Sequence, residues 1–286
     1  MKIYPDFDLT AFNSYRLHAN CKKAYFPESE EDVIDFFSNR KDPYILIGSG
    51  HNIILSKTFY DTDFLIFNGN YNRYRIDPDQ FTLEAEAGVS MLELCEAAWQ
   101  HSCSGLEVFY DIPSSLGGAV VMNAGASGEE IKDLIVKVRY LDLKNMQVKE
   151  VWKEAAGFEY RNSFFQRNTE NIVLKALLRL VAQDKDVIKE KMDSVKALRW
   201  QKQPRDFPNA GSVFKRPKGH YVGPMMEALG LKGFAVGGAK VSEKHGGFIV
   251  NFNQATGQDI LDLIAHIKER VFEAYAIELE VEQRIL

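Results

Sequence analysis

The chain has only three cysteines among 286 residues, Cys21, Cys95 and Cys103, and no two of them stand at a C-x-x-C spacing. An odd, unspaced set excludes a disulfide framework and a zinc knuckle, so reduced thiols and no metal site are expected. No run approaches the ~20 consecutive apolar residues of a membrane span. The start, Met1-Lys2-Ile3-Tyr4-Pro5-Asp6, lacks the apolar stretch and small-residue cleavage site of a secretory leader. A cytoplasmic protein with no membrane partner is the expectation. An excess of positive charge is also missing: 35 Lys+Arg against 40 Asp+Glu leave −5, which offers no general attraction to nucleic acid. What is present is a 45% hydrophobic, 26% charged chain, long enough to bury a real core in about two domains.

Short strand-like and helix-like segments alternate through the first third. Lys23 to Phe26 reads as a strand stopped by Pro27, and Ser29 with Asp32 resembles a capping box that opens a helix carrying Val33, Ile34, Phe36 and Phe37. Tyr44 to Ile47, Phe64 to Phe67 and Thr82 to Ala87 read as strands, and Ser90 with Glu93 caps a helix running to His101. The stretch from about Leu134 to Leu180 is richer in strands. From Asp186 to Gln201, Ile188, Met192, Val195 and Leu198 recur at helical spacing, which predicts an amphipathic helix joining the two halves. Further elements follow: a helix near Pro224 to Leu229, a strand around Phe248 to Asn251, a long helix from about Gln258 to Tyr275, and a last strand over Ile277 to Val281. The pattern is α+β or α/β.

Two glycine-rich segments stand out. Gly48-Ser49-Gly50-His51-Asn52 follows a strand, but Ile53 occupies the third glycine position of G-x-G-x-x-G, so the Rossmann fingerprint is incomplete. By itself this pair of glycines is equally compatible with a tight turn. The second segment runs from Gly105 through Ile112-Pro113-Ser114-Ser115-Leu116-Gly117-Gly118-Ala119 to Met122-Asn123-Ala124-Gly125-Ala126-Ser127-Gly128. So many small residues allow close backbone approach, and free N–H groups in such loops form concavities suited to a pyrophosphate. A third constellation is basic: Arg199, Lys202, Arg205, Lys215, Arg216 and Lys218 face only Asp206 in that stretch, which points to an anionic ligand. Lys244 and His245 can add to it.

These residues carry a resemblance. Asn13-Ser14-Tyr15-Arg16, Gly48 to Asn52, Ile112 to Ala119 with Met122 to Ala126, and Phe158 to Ser163 come first. Asn209 to Lys215, Gly230 to Gly233, Val241 to His245 with Phe248 to Asn251, and Leu279 to Glu282 complete the series. Eight pieces in this order, over essentially the whole chain, resemble the UDP-N-acetylenolpyruvoylglucosamine reductase (MurB) family. The resemblance implies an α+β fold: an FAD-binding domain of the vanillyl-alcohol-oxidase (PCMH) type over 1–188, in subdomains of about 1–70 and 71–188, and an α+β substrate-binding domain over 189–286. It implies a flavoenzyme of peptidoglycan precursor synthesis. NADPH reduces FAD, and UDP-N-acetylglucosamine enolpyruvate then takes hydride at C3 and a proton at C2 to give UDP-N-acetylmuramate.

By the same resemblance, Gly48, Ser49, Gly50, His51, Asn52, Pro113, Ser114, Ser115, Gly117, Gly118, Asn123, Gly125 and Gly128 hold FAD. Arg161 matches the arginine that steadies the substrate carboxylate, and its planar, permanently charged fork suits that task. Glu282 matches the glutamate acting with it, and must be protonated to donate, which burial would favour. Ser212 matches the proton donor to C2. Lys202, Arg205, Lys215, Lys244 and His245 are candidates for the UDP-sugar. The stretch between Arg161 and Ser212 is too short for the substrate-capping insertion of one family type, so the chain resembles type II, and a monomer is expected. Departures stand at Ser49, His51, Ser114, Ser115 and Arg216. His51 is compatible with a covalently attached flavin, as in oxidoreductases of the same fold. A paralogue acting on another substrate and a non-catalytic flavin-binding protein would share much of the same pattern. The presence of Ser212, Arg161 and Glu282 argues against the oxidase and the non-catalytic protein.

Overall fold

The computed structural model describes residues 1–38 and 40–286. Seven α-helices occur among them: α1 (Glu30–Ser38), α2 (Met91–Gln100), α3 (Leu116–Met122), α4 (Phe164–Arg167), α5 (Lys185–Lys202), α6 (Val222–Ala228) and α7 (Gly257–Tyr275). A four-stranded sheet takes Lys2–Asp8, Asn20–Phe26, Phe59–Ile66 and Tyr44–Ile47 in that order. The mixture of sheets and helices is the expected α+β class.

The chain forms two compact units. The first contains Met1–Tyr4, Ala24–Ser49 and Phe64–Leu198; the second contains Pro5–Lys23, Gly50–Asp63 and Arg199–Leu286. Residues 5–23 and 50–63, assigned on sequence to the FAD-binding domain, therefore cluster with the C-terminal part.

The first unit is built on a five-stranded antiparallel sheet in the order Gln147–Trp152, Ile135–Asp142, Asn171–Arg179, Thr82–Glu86, Tyr74–Asp77. Alternation decides its faces: Leu83 and Ala85 are buried while Glu84 between them is exposed. Their buried face joins one core with Val138, Leu174 and Leu178 of the sheet and with Met91 and Leu94 of α2. The serine half of each predicted capping box forms. Ser29 Oγ accepts the Asp32 N–H at 3.2 Å, and Ser90 Oγ accepts the Glu93 N–H at 3.1 Å. Losing such a cap costs about 1 kcal/mol.

In the second unit the strands Ala235–Val236, Ala239–Val241 and Ile249–Asn251 form an antiparallel sheet. Helix α7 opens on a reciprocal capping box, Thr256 with Asp259. It buries Ile260, Leu263, Ile264, Ile267 and Val271, a stripe at i, i+3, i+4, i+7 and i+11. The predicted last strand, Ile277 to Val281, is a correction: apart from a bridge between Val281 and Phe214, it is irregular. The terminal strand is Arg284–Ile285, which pairs in parallel with Ile53–Ile54. All three cysteines are buried and unpaired. Among the described residues no group of His, Cys, Asp or Glu is arranged to hold a metal ion, and no helix is long and apolar enough to cross a membrane.

Candidate active site

Strand Tyr44–Ile47 leads directly into the first glycine loop. A Cβ at Gly48 would lie 2.5 Å from Ser115 Oγ, so a side chain there would force the two glycine-rich loops apart. Segments distant in sequence thus meet through an absent side chain. Their chemistry differs. In the second loop three donors are spent within the protein: Leu116 N–H on Val89 O and Gly117 N–H on Ala87 O, both at 2.8 Å, and Gly118 N–H on Ser115 Oγ at 3.3 Å. In the first loop, the N–H groups of Ser49, Gly50, His51 and Asn52 meet no acceptor among the described residues. Gly50 has φ +74°, and a Cβ there would collide with Phe12 O at 1.9 Å, so only glycine keeps this curvature. Four successive donors on a curved backbone suit the pyrophosphate of FAD. The loop's donors therefore fit the cofactor's anionic group, and within the first unit Ser115 packs against Gly48.

His51 lies half-buried, with its Nδ1 in a close hydrogen bond to Ser14 Oγ. Burial, and secondarily the charge of Arg16, push its pKa down to about 4, so the ring is uncharged at neutral pH. Asn52 ties the loop to the C-terminal segment of the same unit: its Nδ2 donates to Glu282 O at 3.3 Å, and its carbonyl accepts from Arg284 N–H at 3.0 Å.

Asn123 bonds within the first unit. It ends α3 in the left-handed conformation, fully buried, with its amide bonded to Glu130 Oε2 at 3.0 Å and Glu159 O at 2.8 Å. Its Oδ1 accepts Lys132 N–H at 3.2 Å. The side chain of Asn123 thus shapes the turn that follows. That turn anchors Arg161. Glu159 and Asn162 exchange both backbone bonds, at 3.0 and 3.1 Å, leaving Tyr160 and Arg161 at the tip of a tight hairpin with Arg161 at φ +52°. Arg161 Nη2 donates to Gly125 O at 2.8 Å. Its guanidinium also lies 5.1 Å from the Tyr160 ring centroid. Gly125 therefore holds the arginine. Gly128, at φ +92°, has open space where a side chain would stand.

Ser212 and Glu282 belong to the second unit and come together through backbone pairing. Lys215 N–H donates to Glu280 O at 2.9 Å, and Glu282 N–H donates to Val213 O at 2.8 Å. On its other side the segment bridges Phe248 through Ser212, with Val213 N–H on Gly247 O at 3.0 Å. Val213 and Phe214 are buried and fix the segment, while Ser212 remains exposed. The Ser212 hydroxyl is therefore accessible on a backbone held from both sides.

The basic residues are less free than the sequence implied. Lys215 Nζ pairs with Glu280 Oε1 at 2.5 Å, and Lys244 Nζ donates to Trp200 O at 2.7 Å. Arg205 lies 5.0 Å from the Trp200 ring centroid. Lys202 is exposed at the end of α5. His245 Nδ1 accepts Gly247 N–H at 3.1 Å, and burial lowers its pKa. It offers an uncharged ring with the proton on Nε2.

Pattern reading passed over Gln283 and gave Tyr15 no role. Gln283, 3% exposed, donates toward the carbonyls of Ala210, Gly211 and Ser212 and accepts from the buried Tyr15 hydroxyl. A glutamine beside Glu282 has no distinguishing spacing, and only the long-range fold reveals its partners.

Comparison with known proteins agrees with this geometry. An FAD-binding domain model matches residues 22–151, and a model of the UDP-N-acetylenolpyruvoylglucosamine reductase C-terminal domain matches residues 203–286. The reductase of Francisella tularensis subsp. tularensis is 41% identical, with 97% of this chain and 98% of that protein covered. The reductase of Caldanaerobacter subterraneus subsp. tengcongensis is 36% identical, with 100% and 94% covered. The crystal structure of the enzyme from Thermus caldophilus superposes with a TM-score of 0.82 at 27% identity, covering 99% of this chain and 98% of that one. With both domain models matched and relatives of 36–41% identity covering 97% or more of its length, the chain belongs to the UDP-N-acetylenolpyruvoylglucosamine reductase (MurB) family.

Proposed function

We propose that Ser212, Arg161 and Glu282 are the catalytic residues with which this chain reduces UDP-N-acetylglucosamine enolpyruvate to UDP-N-acetylmuramate. The cofactor is FAD, the reductant is NADPH, and the reaction belongs to peptidoglycan precursor synthesis. The observation that carries the assignment is the backbone pairing of Glu282 with Val213, which sets the Glu282 backbone beside the residue that follows Ser212.

FAD, held by the glycine loops, would supply the redox chemistry that passes a hydride from NADPH to the enol ether. The protein's contribution is charge and proton placement. As C3 gains hydride, negative charge builds on the conjugated carboxylate, and a preorganised donor aimed there lowers the barrier. Arg161 fills this role with a guanidinium already fixed on Gly125 O, so little reorganisation is needed. Glu282, protonated, donates a second hydrogen bond to the developing enolate. Ser212 gives its hydroxyl proton to C2; a serine is a weak acid in water, and only a strongly basic enolate takes its proton. Lys202 and Arg205 neutralise the UDP diphosphate, and His245 adds a neutral N–H. Lys215 and Lys244 take part by exchanging their present acceptors, Glu280 and the Trp200 carbonyl, for phosphate oxygens.

FAD is held by Gly48, Ser49, Gly50, His51 and Asn52 through backbone donors, by Pro113, Ser114, Ser115, Gly117 and Gly118 through packing, and by the Asn123, Gly125 and Gly128 turn. The reading includes a cytoplasmic monomer that binds neither nucleic acid nor membrane, and the net charge of −5 supports the nucleic-acid part. Anaerobic half-reactions test the assignment. Ser212→Ala should be reduced by NADPH as fast as wild type but fail to be reoxidised by the enolpyruvate substrate. Normal reoxidation of that variant, or a wild-type protein that cannot be reconstituted with FAD, would refute the reading.

A further inference from the structure

We propose that Gln283, oriented by Tyr15, is a positioning residue for Ser212. The proposal rests on the reading of Ser212 as proton donor. The Gln283 amide lies 3.0 Å from Ala210 O, 3.3 Å from Gly211 O and 3.3 Å from Ser212 O. Three successive carbonyls thus wrap around one NH2 group, which has two hydrogens to share among them. This wrapping fixes the backbone of the residue whose hydroxyl must reach C2.

An amide can bind in two orientations, and only one of them works here. The Tyr15 hydroxyl donates to Gln283 Oε1 at 2.9 Å, which leaves the NH2 facing the carbonyls. Without Tyr15 the reversed amide would set oxygen against three oxygens. Tyr15 is itself fixed: it is fully buried, and its carbonyl accepts from Asn251 Nδ2 at 2.8 Å. The neighbouring residue acts in parallel, since Glu282 N–H holds Val213 O. Two consecutive residues therefore grip both sides of the Ser212 peptide unit. A buried glutamine costs stability unless its polar atoms are paired, and here both ends are paired in a way that converges on one loop.

The test uses FAD-loaded full-length protein and separates the half-reactions by anaerobic stopped flow. Reduction of FAD by NADPH reports the fold and the cofactor site, and reoxidation by UDP-N-acetylglucosamine enolpyruvate reports Ser212. Gln283→Met should keep the wild-type FAD content and reduction rate, and slow reoxidation by roughly a hundredfold, the scale of a misplaced reacting group. Tyr15→Phe should slow reoxidation less. In both, the half-saturating substrate concentration should stay near wild type while the solvent deuterium isotope effect on reoxidation grows. A merely structural role would instead depress both half-reactions together. Should Gln283→Met fail to fold, Tyr15→Phe decides alone. Ser212→Ala with normal reoxidation overturns the reading of Ser212 and this proposal with it. Slow Ser212→Ala beside normal Gln283→Met and Tyr15→Phe overturns the proposal only.

Discussion

Single residues set the chemistry, and His51 shows how a side chain can be chosen for a charge it does not carry. Its folded pKa of about 4 lies below the ordinary 6.5, so the unfolded chain binds more protons between these values and stability rises with pH across that window. The contribution is complete above pH 6.5 and lost as pH falls toward 4, on the order of 3 kcal/mol. Urea unfolding of His51→Gln between pH 4 and 7 should therefore have a flatter acid limb than wild type. Arg161 gives a second prediction. Lysine has one point charge and cannot keep the Gly125 carbonyl while engaging a carboxylate as a planar fork does. Arg161→Lys should lower turnover roughly a hundredfold, measured as steady-state NADPH oxidation, while thermal stability stays near wild type. The roles proposed for Ser212, Arg161 and Glu282 rest on ordered sequence motifs, and no such motif marks Gln283. Its partners lie about 70 and about 270 positions away and leave no local period.

Elements were legible where capping and periodicity agreed. Ser90 with Glu93 and the apolar spacing of Gln258 to Tyr275 located α2 and α7 to within a residue or two. Helix α5 was found as well, yet only the first half of its stripe is used: Ile188 and Met192 are buried, whereas Leu198 is 52% exposed. The terminal strand was misplaced. Alternating residues at Ile277 to Val281 look like a strand, but the ladder forms at Arg284–Ile285 because Ile53–Ile54 is its partner, and two-residue parallel pairings carry no signature of their own. The end of the chain is held tightly. Leu286 O accepts from Ser56 N–H and from the Tyr60 hydroxyl, each at 3.0 Å, and Leu286 N–H donates to Ile54 O at 2.9 Å. Deleting Arg284–Leu286 removes these bonds together with those from Arg284 N–H to Asn52 O and from Ser56 Oγ to Leu286 O, and should cost on the order of 5 kcal/mol at about 1 kcal/mol per lost hydrogen bond, seen as a lower midpoint in urea.

At the scale of the molecule, contacts divide the chain differently from linear order. The sequence suggested a boundary near residue 188, whereas the second unit recruits Pro5–Lys23 and Gly50–Asp63 to pack with Arg199–Leu286. Short recruited segments lack the length for a periodic pattern, so only pairings such as Tyr15 with Gln283 and Asn251 reveal them. A fragment of residues 199–286 therefore lacks the partners of Gln283, Asn251 and Leu286, and should show little cooperative unfolding by circular dichroism. Adding residues 1–63 in trans is expected to restore part of it.

The burial of the three cysteines has a practical consequence. Burial raises the Cys21 thiol to about 12 and moves the Cys95 and Cys103 thiols upward as well, leaving almost no thiolate at neutral pH. In the native protein an alkylating reagent meets a closed and protonated target. Its slow uptake then becomes a clock for opening: the Cys21 site reports the second unit, and Cys95 and Cys103 report the first.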